Sequence, residues 1–130
     1  EQGKGEVYSP STGIQLPSGA IKSPDCAWVS DERLTQQLDD KEETFLKGVP
    51  DCVAEIRSDA DSLVELKRKM ADTWMASGVR LAWLIDPYQE KAWIYRSEQE
   101  VEEVSGFRDN ILSGEAVLPG LELPLKPFIP

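Results

Sequence analysis

Two hydrophobic periods run along the chain, and the switch between them outlines the fold. In VPDCVAEIRS, from Val49, Cys52, Ala54 and Ile56 alternate with Val53, Glu55 and Arg57. That is the two-residue period of a strand, so Glu55 and Arg57 share one face. In SDADSLVELKRKMADTWMASG the period lengthens, and Leu63, Leu66, Met70 and Trp74 recur at helical spacing. Asp59, Asp61 and Ser62 are candidate N-caps, Ser62 with Glu65 has capping-box spacing, and Gly78 suits the position after the last turn. VRLAWLIDP follows with almost no loop, and its near-continuous apolar run predicts a central strand covered on both faces. YQEK makes a turn, and AWIYR returns as the second arm of a hairpin.

Upstream, IKSPDCAWVS predicts a strand over Asp25 to Val29. EVYS and GIQLP predict short strands around a turn. DERLTQQLDDKEETFLKG, with Leu34 and Leu38, predicts a short helix or an exposed acidic connection. Beyond Arg96, Gly and Pro turns separate short strands. The strand-helix-strand unit from Cys52 to Asp86 predicts a right-handed crossover. The fold class is therefore α/β (α+β), a mixed sheet in one domain over residues 1–130.

Composition narrows the chemistry. The 24 acidic residues outnumber 14 basic ones for a net charge of −10, which argues against plain, metal-free nucleic-acid binding. Bound cations or a local basic patch can invert that field at one site. The chain has no His, which removes the commonest general base and any Ser-His or Cys-His pair. Chemistry must come from carboxylates, Lys, Tyr or Cys, and oxygen-rich sites favour hard ions such as magnesium, manganese or calcium. The two cysteines, Cys26 and Cys52, sit inside apolar runs and are expected as reduced, buried thiols in a cytoplasmic protein. With no run of about 18 apolar residues, no membrane partner is expected.

The tripeptide Pro-Asp-Cys opens two strands, at Asp25 and at Asp51. Metal-dependent phosphodiester cleavage needs carboxylates on adjacent strands to hold a divalent ion, with a nearby Lys to orient water or offset charge. Asp25, Glu55 and a lysine supply such a set. Arg57 stands where the carboxylate-x-cation pattern would usually carry Lys; it holds its proton too tightly to activate water but can contact phosphate. The helix offers Lys67, at about 40° from Leu63, and Lys69, at about 240°, by the winding of an α-helix. The plainer readings are turn chemistry for Asp after Pro and a satisfied ion pair for Glu55 with Arg57. Trp28, Trp74, Trp83 and Trp93 read as core.

Taken in order, SPDCAWVS, VPDCVAEIRSDADS, ELKRKM, GVRLAWLIDP, WIYR and LSGEAVLPGLELPL resemble the Uma-two family of restriction-endonuclease-like proteins, within the PD-(D/E)XK nuclease superfamily. The resemblance runs from about Gly5 to Phe128. It implies a restriction-endonuclease-like mixed sheet with flanking helices. It also implies Asp25 and Glu55 as ligands of magnesium or manganese, and Lys69 as the catalytic lysine, with Lys67 in reserve. Asp61 matches an Asp that caps the helix or stands in the outer shell of the site, and Arg57 or Lys67 would contact phosphate. Where members often carry Pro, this chain has Asp59; its helix is about one residue longer before Gly78; and the usual N-terminal αβ segment, with a further acidic residue, is expected to be missing. The implied function is a metal-dependent DNA endonuclease, with a homodimer expected for cutting both strands. The alternative is a degenerate nuclease-fold domain serving as an interaction or dimerisation module.

Overall fold

The computed structural model describes residues 5–8, 14–18, 21–22, 24–33 and 46–130. The acidic connection around Leu34 and Leu38 lies outside the described residues for most of its length. Among the described residues the main sheet has six strands: β1 (Gly5–Tyr8), β4 (Cys26–Ser30), β6 (Cys52–Ile56), β7 (Leu81–Asp86), β8 (Lys91–Arg96) and β9 (Glu102–Ser105), in the spatial order β1-β4-β6-β7-β8-β9. All neighbours are antiparallel except β6 and β7, which run parallel. A parallel pair needs a crossover, and the helical segment between them supplies it. β2 (Ile14–Gln15), β3 (Ile21–Lys22) and β5 (Leu46–Lys47) form a second small sheet, and β10 (Ile111–Ser113) pairs with β11 (Glu122–Pro124).

β7 is buried at every position, as its apolar run predicts. Its alternate side chains feed two cores. On one face Ala82 and Leu84 join Val53, Met70, Trp74 and Trp93; on the other Leu81, Trp83 and Ile85 join Trp28, Cys52, Phe107, Leu112 and Leu125. β6 divides the same way, so the side carrying Val53 and Glu55 is the side the helix covers. All four tryptophans are buried. No helix among the described residues is long and apolar enough to cross a membrane.

Four expectations need correction. The strands of EVYS and GIQLP do not pair with each other. β1 lies on β4, where a Cβ at Gly5 would collide with the Val29 carbonyl and the Trp28 ring. Long-range pairing therefore outweighs the local turn. Cys26, at the start of β4, is free but exposed; Cys52 is free and buried. The expected capping box is half made. Ser62 Oγ accepts the Glu65 N–H at 3.3 Å, while the Glu65 carboxylate turns to Arg68 at 2.9 Å. Finally, the helix is not uniform. It is α-helical over α1 (Leu63–Lys69) and π-helical over Met70–Met75, where the Ala76 N–H reaches back five residues to the Ala71 carbonyl. Gly78, at φ +109°, then turns the chain into β7.

Candidate active site

The register of β4 against β6 builds the site. Cys26 faces Ala54, so the next pair along the antiparallel ladder is Asp25 opposite Glu55, thirty residues apart in sequence and on the helix-covered face. Like charges set opposite each other on a sheet are destabilising unless donors hold them. Here they are held. The Asp25 N–H donates to Glu55 Oε1 at 3.3 Å, and the Ile56 N–H donates to Asp25 Oδ2 at 2.6 Å. From the helix, Lys69 Nζ pairs with Glu55 Oε2 at 2.7 Å. Glu55 is 3% exposed, and Asp25 is half-buried at the strand's opening. Three of the residues singled out in the sequence therefore meet: two carboxylates against one ammonium, leaving a net negative charge at a partly open edge.

A fourth residue joins them that sequence reasoning assigned only to the core. Trp74 Nε1 donates to Glu55 Oε2 at 3.0 Å. The available signal was its place on the apolar stripe facing the strand that carries Glu55, since a buried indole N–H seeks an acceptor.

The other candidates sit elsewhere. Lys67 Nζ lies 4.2 Å from the centroid of the Trp93 ring, a cation–π contact over β8. Arg57 pairs with fully buried Asp86 at 2.8 Å, donates to the Asp61 carbonyl at 3.3 Å and stacks over Tyr88 at 5.7 Å. It is the satisfied ion pair of the plainer reading, with Asp86 rather than Glu55 as its partner. Asp86 Oδ1 also accepts the Tyr88 N–H at 2.9 Å, which fixes the hairpin turn. Asp61 Oδ2 accepts the N–H and the hydroxyl of Ser58, each at 2.9 Å. These two bonds, helped by the charges of Lys69 and Arg57, hold its carboxyl below the usual range. Asp61 closes the Ser58–Asp61 turn leading into α1, and it shares a groove with Ser62, Lys69 and Asp72.

The model of the Uma2 family, described as "Putative restriction endonuclease", matches residues 1–126. The chain belongs to the Uma2 family. Its fold is shared with the crystal structure of "a putative nuclease belonging to DUF820" from Anabaena variabilis ATCC 29413, at a TM-score of 0.79 and 19% identity, over 97% of this chain and 68% of that one. No curated protein matches the chain. The α+β mixed sheet is thus a nuclease-type fold, as the resemblance implied.

The α-helical part ends at Lys69 and the π-helical turn carries Trp74, and both side chains reach Glu55 on β6.

The donor set suits a hard ion. Oε2 of Glu55 takes two donors and Oδ2 of Asp25 takes one, whereas Oε1 of Glu55 has only the long 3.3 Å bond. Among the described residues Asp25 Oδ1 has no hydrogen-bond donor, and no group of three or more His, Cys, Asp or Glu is arranged around one point. Two carboxylates are what magnesium ordinarily takes from a protein, with water and substrate phosphate completing its octahedron. Zinc would call for nitrogen or sulfur ligands, and among the described residues no Cys groups with these two carboxylates around one point. Cys26, next to Asp25, is kept as a thiol by burial and by the Asp25 charge.

Proposed function

We propose that this Uma2 chain is a magnesium- or manganese-dependent endonuclease that hydrolyses phosphodiester bonds in DNA. The observation carrying the proposal is the cross-strand pair of Asp25 and Glu55 with Lys69 Nζ at 2.7 Å from Glu55. Asp25 and Glu55 would hold the ion. When bound, the ion supplies Lewis-acid polarisation of the scissile phosphate and lowers the pKa of a coordinated water. Lys69 is on a long stem with its side chain 31% exposed. It can leave Oε2 to orient the attacking water and offset charge developing on the phosphate. Local positive charge is needed because the chain carries −10 overall and repels DNA at long range. Cutting both strands calls for two copies of the chain.

The test is incubation of supercoiled DNA with the protein and magnesium beside an Asp25→Ala control. Nicking by the parent chain alone supports the proposal, and equal nicking by both, or none by either, contradicts it. A second reading, a non-catalytic interaction module, draws support from the presence of only two carboxylates at the site among the described residues. Manganese binding separates the two, because the module needs no ion at Asp25 and Glu55.

A further inference from the structure

We infer that Trp74 is a positioning residue for the metal ligand Glu55, and that the π-helical turn keeps it in place; this rests on the metal-site reading above. Glu55 is nearly buried, and a buried carboxylate needs fixed donors. Its two close donors both fall on Oε2: Lys69 Nζ at 2.7 Å and Trp74 Nε1 at 3.0 Å. Crowding the donors on one oxygen sets the rotation of the carboxylate and leaves Oε1 toward Asp25, whose N–H is 3.3 Å away.

The two donors differ in kind. Lys69 is charged, partly exposed and on a flexible stem, so it is free to change partners. The Trp74 ring is 0% exposed and packed among Met70, Val53 and Leu84. Its indole nitrogen donates and never accepts, so it takes no part in proton transfer. It therefore holds Glu55 whether or not Lys69 has moved to water or phosphate, and it plays the part that a hydrogen-bonded neighbour of a metal ligand ordinarily plays.

The helix geometry explains how both reach one atom. Lys69 and Trp74 are five residues apart, and on an ideal α-helix they would point about 140° away from each other. Five-residue hydrogen bonding stacks such positions. The Ala76 N–H donating to the Ala71 carbonyl marks that winding. The widened turn is thus the device that brings an ammonium and an indole onto the same carboxylate oxygen.

The experiment is a calorimetric titration of manganese into the parent chain, Trp74→Phe, and a chain with benzothienylalanine at position 74, which keeps the bicyclic shape and lacks the N–H. All are measured well below the melting temperature, beside Glu55→Gln. The expected result is manganese affinity weakened by about 10- to 100-fold in either Trp74 variant that folds, as for loss of an outer partner of a metal ligand. On DNA, kcat should fall with KM nearly unchanged. Parent and folded Trp74 variants that bind manganese equally would overturn the positioning role and leave the metal site standing. A parent chain that binds no manganese would overturn both.

Discussion

Each end of β6 carries a buried carboxylate, and the partners at the two ends differ in kind. At the start stands Asp51, 1% exposed. Its Oδ2 accepts the Ser30 N–H at 2.6 Å, and its Oδ1 meets Arg33 Nε at 3.2 Å and Arg80 Nη1 at 3.4 Å. Arg33 goes on to donate to the carbonyls of Pro50 and Gly78, at 2.9 and 3.3 Å. The result is a clasp joining β4, β6 and the end of the helical segment, with two cations on one anion and both oxygens engaged. Four residues on, the charge balance reverses: of Asp25 and Glu55, Glu55 alone is paired with a cation, Lys69, and an oxygen on each is lightly engaged or, among the described residues, without a donor. A carboxylate saturated by cations stabilises a fold, whereas a carboxylate pair short of cations is poised to take one.

Substitutions at the two ends should therefore separate activity from stability. The largest effect is expected for Asp25→Asn, which should lower metal-dependent nicking by about 1,000-fold, the scale of losing one member of a catalytic constellation. Its denaturant midpoint should hardly move. Asp51→Ala should do the reverse. It should cost about 3 kcal/mol, at the low end for breaking a buried pair because both arginines reach solvent, and leave manganese affinity in the folded protein unchanged. Urea unfolding and calorimetry on the same two variants decide the contrast; activity lost at Asp51 with stability intact would break it.

The lysines sharpen it on the helix. Lys69→Ala should lower turnover by about 100-fold, comparable with removing one donor to developing charge. Lys67→Ala should cost about 0.5–1 kcal/mol of stability through the lost contact with Trp93 and leave turnover alone. Single-turnover rates with saturating DNA distinguish the two. The smallest effect concerns the cysteines. Burial pushes the Cys52 thiol up to about 12, with Cys26, Asp51 and Glu115 adding to the rise. An unfolded thiol ionises near 8.5, so the stability held in Cys52 is complete below that value and is lost as pH rises through about 12. A thiol reagent at pH 8 should label exposed Cys26 ahead of Cys52 but more slowly than a free cysteine, because its thiol is held protonated, and should reach Cys52 only on unfolding.

Much of this was legible in the sequence because it is local. Alternation over Cys52 to Arg57 set the faces of β6, and the stripe from Leu63 to Trp74 set the helix. Three things were not local. The pairing of β1 with β4 joins segments that no turn connects. Straight α-helical winding spread Lys67 and Lys69 around the axis but could not register the π-helical turn, which packs on β7 and β8 in the fold. Trp74, counted as apolar, hid the polar tip that reaches Glu55. Asp51 misled in the opposite sense: it looked like strand-entry punctuation, because Arg33 and Arg80 lie 18 and 29 residues away in sequence and come together only in the fold.

The central claim is that Asp25 and Glu55 together hold one divalent ion. Manganese titrated into the parent chain, Asp25→Asn and Glu55→Gln, followed by calorimetry, tests it most directly. One ion bound by the parent chain and none by either variant at millimolar metal is the result predicted. Equal binding by all three proteins, or no binding by the parent chain, would contradict it.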